Sequence, residues 1–327
     1  GKEKTKNFED EETAKIVLDI PGDVSILRKA LEEKSIVCYE ADIRFVYRFM
    51  IDNNIKAITD IKGEYKKDNF VNRIYENPKF EECKEYTPKL KILSFDIETN
   101  EDASQLLSIS LYTDDYKNVL IVYDQKQEKK TGKLKNAICF ENEPALLQFF
   151  KDKVQEIDPD VLTGWNVIDF DLNVLKSKFK QHKIPFVLGR ADWESKIRIQ
   201  HDFFRSSTAD IAGRQVLDGI ELLKSNFISL QDYKLETAAQ AILGKGKLIK
   251  GNNRADEVIK LYKKDPQKVV DYNLVDSELV YEIFEKKDLI NLTIKRSMLT
   301  GMQMDRVSAS IASLDSMYLR ETKKLGI

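Results

Sequence analysis

SFDIET, residues 94–99, closes the apolar run KILSFDIET and sets two acids one residue apart. In an extended strand, residues i and i+2 share a face, so Asp96 and Glu98 stand side by side. Neighbouring carboxylates repel, and burying them is costly unless a proton or a cation intervenes. The stretch therefore predicts a buried strand whose end presents a metal site.

Working outward, KILSFDIE, LLSISLYT and NVLIVYD are β-rich runs separated by polar turns, with DDYKN as a hairpin connection between the last two. The basic stretch YDQKQEKKTGKLK reads as a solvated hairpin tip. ENEPALLQFFKDKVQEIDPD reads as a helix, with acids in its first turn and Pro144 near its start. DVLTGWN is a short strand, DFDLNVLKSKFKQHKI a helix after it, and VLDGIELLK a strand running into a helix. KLETAAQAILG is a helix stopped by Gly244, and residues 254–300 are mostly helical with a break near Pro266. The economical architecture is α/β: a mixed sheet flanked by helices.

Residues 1–88 mix charged turns with short apolar pieces such as KIVLDI and SIVCYE. YEADIRFVYRFMIDNNI has helical apolar spacing at Ile43, Val46, Tyr47 and Met50. A polar connector ends at Pro88. We expect a smaller α+β domain over 1–88, a larger one over 89–296, and a further segment at 297–327.

With 327 residues, 42% hydrophobic and 33% charged, the composition is that of a globular protein rather than a disordered one. No apolar run approaches the roughly 20 residues that span a bilayer, and GKEKTKNFEDEE has no signal-peptide core. Cys38, Cys83 and Cys139 lie far apart and form no metal-ligand pair, which fits a reducing, cytoplasmic setting. A net charge of −2 argues against gripping duplex DNA through many phosphates. It leaves room for a site that takes a short single-stranded end, where metal ions meet the phosphates.

Four segments bring carboxylates to element ends: Asp96 with Glu98; GWNVIDFDL with Asn166, Asp169 and Asp171; VLDG with Asp218; and VVDYNLVDSELVYEIF with Tyr272 and Asp276. Tyr272 and Asp276 are four apart and share a helix face. Apolar residues occupy much of that helix's circumference, so Asp276 needs a partner, and a metal shared with Asp96 and Glu98 is a reasonable one. Such acids suit Mg²⁺ or Mn²⁺ and two-ion phosphodiester hydrolysis. Zn²⁺ is disfavoured, since the two histidines, His182 and His201, have no metal-type spacing. Taken singly, each piece has a plainer reading. Asp171 could be a helix-start acid, Asp218 a turn residue left out of the metal shell, and Tyr272 a core tyrosine rather than one whose hydroxyl orients the water or the phosphate.

Together these motifs resemble the 3′–5′ exonuclease region of family B DNA polymerases. The family's motifs FDIET, N-x-x-x-F-D and Y-x-x-x-D are matched at Phe95–Thr99, Asn166 to Asp171 and Tyr272 to Asp276. Tyrosine in the last motif marks the tyrosine-bearing subgroup of DEDD nucleases. VCYEADIRFVYRFMID, LETAAQAILGKGK and GMQMDRVSASIASLDSMYL look most like the bacterial DNA polymerase II branch, and the resemblance covers most of residues 35–327.

The resemblance implies an RNase H-like exonuclease domain that removes mismatched nucleotides from a primer 3′ end as nucleoside monophosphates. It implies that Asp96, Glu98 and Asp276 hold one ion, and that Asp96 shares in the second with support from Asp171. It implies that Tyr272 positions the attacking water, and that Thr99, Asn166 and Phe170 meet the strand. Partners implied are single-stranded DNA or a frayed primer–template, the palm, fingers and thumb, and a sliding clamp; no membrane is involved. LDSMYL at 314–319 superficially resembles a polymerase motif, but no later D-T-D follows. We therefore expect 297–327 to lead towards a palm outside this chain, which would be one piece of a longer or split enzyme. Two alternatives stay open: an inactive DNA-binding or scaffolding fragment, and an exonuclease acting on RNA.

Overall fold

The computed structural model describes residues 4–7, 9–69, 71–83, 86–123, 133–200, 206–246 and 254–325. The chain divides into two compact units, one of residues 1–66, 73–86 and 292–327, the other of residues 67–72 and 87–291.

The first unit begins with the antiparallel pair β1 (Lys4–Lys6) and β2 (Glu12–Ala14), followed by α1 (Asp23–Glu32) and α2 (Phe45–Asp52). The second helix falls within the stretch whose spacing predicts one. Four short strands follow: β3 (Thr59–Lys62), β4 (Tyr65–Lys66), β5 (Ile74–Tyr75) and β6 (Lys79–Glu82). They form two antiparallel pairs, β3 with β6 and β4 with β5.

The larger unit is built on a six-stranded mixed sheet. Its strands are β7 (Ile92–Thr99), β8 (Leu106–Tyr112), β9 (Lys117–Val122), β10 (Ala137–Phe140), β11 (Val161–Gly164) and, after the small antiparallel pair β12 (Lys196–Arg198) and β13 (Thr208–Asp210), β14 (Gln215–Asp218). Their order is β10-β9-β8-β7-β11-β14. β7, β8 and β9 run antiparallel, whereas β11 and β14 add parallel to β7. The SFDIET strand is thus an interior strand, as its nearly continuous apolar character requires.

One expectation is corrected. Ala137–Phe140 forms a sixth strand and pairs parallel to β9, with Ala137 opposite Val119. A two-residue hairpin joins antiparallel neighbours, so β9 and β10 are not the two arms of one hairpin. Most of that basic stretch, 124–132, lies outside the described residues, as does His201.

The helices of this unit are α3 (Glu143–Ile157), α4 (Asn173–Gln181), α5 (Gly219–Ser225), α6 (Leu235–Leu243), α7 (Arg254–Lys264) and α8 (Pro266–Lys286). Local chemistry sets their ends. Asn142 caps α3 by accepting the Ala145 N–H at 3.0 Å, with a proline in the first turn. Gly244 closes α6 at φ 69°, a left-handed conformation that glycine adopts without strain. Pro266 starts α8. Then come α9 (Leu289–Thr300), a 3₁₀ turn at Met304–Arg306, and α10 (Ser310–Leu325).

Alternation along β7 decides the layers. Leu93, Phe95 and Ile97 enter an apolar core with Ile109 and Leu111 of β8, and with Leu146, Leu147, Phe150 and Val154 of α3. The Phe95 and Phe150 rings lie 5.9 Å apart, centroid to centroid. The opposite face carries Ser94, Asp96 and Glu98, and α8 covers it. None of the described helices is long and apolar enough to cross a membrane.

Candidate active site

Asp96 and Glu98 sit near the end of β7, opposite Ser110 and Ser108 of β8. Residues directly opposite in an antiparallel pair share a face, so two serines and two carboxylates form one patch. A register irregularity follows between Glu98 and Thr99. Irregularities of this kind end regular pairing and re-aim side chains.

Asp276 comes from the middle of α8. Carboxylate oxygens of Asp96, Glu98 and Asp276 all lie within 4.8 Å of one another. Asp276 is buried, while the two strand acids are half-buried. Three carboxylates at this separation supply hard oxygen ligands around a space that one divalent cation fits. Among the described residues the cluster offers carboxylate oxygens alone, which is compatible with binding of a divalent cation.

Asp171 approaches from another direction. It sits in a π-helical turn, Val167–Leu172, that leads into α4, and it is buried. Its Oδ1 accepts the N–H of Ile97 at 3.0 Å, which ties it to the backbone between Asp96 and Glu98. Burial, and then the charge of Asp96, push its carboxyl well above the ordinary carboxylate range, against the pull of the Ile97 N–H. A cation beside Asp96 would reverse that balance.

The remaining residues singled out by sequence take varied places. Asn166, in a left-handed conformation at φ 63° just before the π-helical turn, and Phe170 within the turn are both exposed. Thr99 is buried and donates to the Asn100 carbonyl at 2.9 Å. The ring of Tyr272 is buried among Leu107, Val258 and Val269. Asp169 is exposed. Asp218 caps α5, accepting the N–H groups of Ile220 at 2.9 Å and Glu221 at 3.3 Å. Of the two histidines, His182 pairs with Glu143 at 2.8 Å.

Sequence reasoning missed the polar layer behind the acids. Asn273 is fully buried on α8 and donates from Nδ2 to Asp96 Oδ2 at 2.7 Å. Ser108 donates to Asn273 Oδ1 at 2.8 Å, and Ser110 to the Asp96 carbonyl at 3.3 Å. Ser110 also bonds Ser277 of α8. A signal was available in LLSISLY: the alternation puts serines, not apolar residues, on the face that Asp96 and Glu98 occupy.

Comparison with known proteins adds an independent line. The model of the DNA polymerase family B exonuclease domain matches residues 36–238. DNA polymerase II of Escherichia coli (strain K12) is 33% identical over 306 residues, 91% of this chain and 37% of that protein. The DNA polymerase of Thermococcus gorgonarius is 27% identical over 308 residues, 91% of this chain and 34% of that one. The fold is like that of the family B DNA polymerase from the hyperthermophilic archaeon Pyrobaculum calidifontis, with a TM-score of 0.75 at 22% identity, over 98% of this chain and 41% of the other. The chain therefore spans little more than a third of the length of each of these two relatives.

Proposed function

Since this chain belongs to DNA polymerase family B and carries its exonuclease domain, we propose that it is a proofreading 3′–5′ exonuclease acting on single-stranded DNA ends. The carrying observation is the convergence of Asp96 and Glu98 from one strand with Asp276 from a distant helix, their oxygens within 4.8 Å. Residues 89–296 would hold the nuclease, 1–88 an N-terminal domain, and 297–327 the path towards a palm.

In this reading Asp96, Glu98 and Asp276 would hold one divalent ion, and Asp96 would share in a second with support from Asp171. When bound, the Mg²⁺ or Mn²⁺ pair lowers the pKa of a water and steadies the charge on the attacking and leaving oxygens. Tyr272 orients the attacking water, as in the tyrosine-bearing DEDD nucleases. The water oxygen bonds to the terminal phosphorus, the bond from that phosphorus to the 3′ oxygen of the penultimate nucleotide breaks, and that oxygen takes up a proton. A nucleoside 5′-monophosphate leaves.

Phe170 offers an exposed ring beside Asp171 on which a terminal base can stack. Asn166 and Thr99 complete the strand entry. The net charge of −2 is compatible with this design, because cations rather than a basic surface meet the phosphates. The partners that follow are a frayed primer–template, the palm, fingers and thumb, and a sliding clamp.

The test is a 5′-labelled single-stranded oligonucleotide incubated with Mg²⁺. A ladder shortening from the 3′ end should appear with the wild type and vanish in the Asp96→Ala, Glu98→Ala double variant. Digestion that persists in the double variant would sink the assignment. Binding without turnover at saturating metal would instead mark a DNA-binding fragment. A matched RNA strand in parallel reads sugar preference.

A further inference from the structure

Resting on the exonuclease reading, we infer that Asn273 is a positioning residue for Asp96: it fixes one carboxylate oxygen so that the other faces the cation space. Asn273 is 0% exposed, in the middle of α8 and one residue past Tyr272. A buried amide must be hydrogen-bonded at both ends, and this one is. Its Oδ1 accepts from Ser108 Oγ at 2.8 Å, while its Nδ2 donates to Asp96 Oδ2 at 2.7 Å and to the Asp96 carbonyl at 3.2 Å.

The direction of the amide is chemically determined. The opposite flip would set the amide oxygen 2.7 Å from a carboxylate oxygen, with no proton between them. Ser108 therefore holds the amide's acceptor end, and the amide's donor end holds Asp96. Both ends of the chain of bonds sit on β7 and β8, which pair directly, so Asn273 also locks α8 in register against the acid-bearing strand.

The identity of the side chain follows from the task. A lysine at this position would neutralise Asp96 and compete with the metal. An aspartate would add a further carboxylate to a cluster that already holds three within 4.8 Å. Asparagine is neutral, so it sets the direction of Asp96 without changing the charge that the cation meets.

The experiment measures Mn²⁺ binding by the loss of the free-Mn²⁺ electron paramagnetic resonance signal, without DNA, alongside exonuclease kinetics on a single-stranded oligonucleotide. Asn273→Ala should weaken Mn²⁺ binding by roughly 10–100-fold, the usual effect of removing a group that orients a metal ligand. At low Mn²⁺ its kcat should fall by a similar factor and recover as Mn²⁺ is raised, with KM for the oligonucleotide unchanged.

Ser108→Ala should shift Mn²⁺ affinity in the same direction, and Ser108→Thr, which keeps the hydroxyl, should restore it. That pair decides the matter if Asn273→Ala does not fold. Wild-type Mn²⁺ affinity in both Asn273→Ala and Ser108→Ala, with only the melting temperature lowered, overturns the positioning role and leaves the exonuclease reading standing. A wild type that neither binds Mn²⁺ nor shortens the oligonucleotide overturns both.

Discussion

Asp218→Asn should stabilise the larger unit at neutral pH and lose that gain in acid. Asp218 ends β14, caps α5 and is only 9% exposed. Burial pushes its carboxyl from 3.8 up to about 6, even though the N–H groups of Glu221, Ile220 and Val167 pull the other way. A carboxyl raised in the folded state favours folding while it is protonated. Its contribution is therefore complete below the unfolded value of 3.8 and is lost as pH rises through about 6. The gap of about 2 pH units, at ~1.4 kcal/mol per unit, corresponds to about 3 kcal/mol of folding stability forgone above pH 7. Asparagine keeps the oxygen that caps Ile220 and Glu221 and drops the charge, at the cost of one acceptor for the Val167 N–H, so the charge relief sets an upper limit to the gain. The variant should thus gain up to about 3 kcal/mol above pH 7, or ~6–12 °C for a unit of this size, and nothing near pH 4. Both tryptophans, Trp165 and Trp193, belong to the larger unit, so fluorescence during urea unfolding follows that unit. Measurements in EDTA between pH 4 and pH 8 complete the test. A variant no more stable than wild type at high pH, or a gain that does not change with pH, would refute the reasoning.

Three other perturbations test the framework of the site. Gly164→Ala would place a Cβ 2.6 Å from the Phe95 carbonyl and 3.0 Å from Val167 Cγ2. The strand beside Asp96 must shift, so we expect a loss of about 2–3 kcal/mol in urea unfolding and a parallel fall in exonuclease rate. Phe170→Ala removes the half-exposed ring beside Asp171. Oligonucleotide KM should rise by about 5- to 150-fold, the equivalent of one lost base–aromatic stack, with kcat less affected. Arg214→Met removes a fully buried guanidinium that bonds Asp158 at 2.8 Å, the Leu188 carbonyl at 2.8 Å and Gln155 at 3.2 Å. The acceptors left behind should make the larger unit less stable by about 3 kcal/mol in the same unfolding assay, with Mn²⁺ affinity unaffected.

What could be read in the sequence was what local periodicity controls. SFDIET announced a buried strand with its acids on one face, because alternation of side chains needs no tertiary information. Gly244 and Pro266 marked helix ends because their backbones allow little else. The parallel placement of Ala137–Phe140 was not legible. Four half-buried residues carry too weak a pattern, and pairing direction is set by where a long connection returns the chain. The π-helical turn that delivers Asp171 was hidden for a related reason: its composition is that of an ordinary helix start. Asn273 escaped because an amide flanked by apolar residues has the same appearance whether it bonds a carboxylate or fills a polar gap.

The buried serines explain how the acids can meet at all. A helix packed on a sheet normally stands off by the thickness of two layers of branched apolar side chains. Here Ser108 and Ser110 of β8 face Asn273 and Ser277 of α8, so small side chains oppose small side chains and are joined by hydrogen bonds. The helix comes close enough for Asp276, three residues beyond Asn273, to bring its carboxylate to those of β7. Leucine or isoleucine at positions 108 and 110 would pack the sheet equally well and keep Asp276 away. The spacing of the carboxylates therefore depends on side chains that carry no charge. Reading acids alone from a sequence finds the carboxylates of such a cluster and misses the residues that set the distances between them.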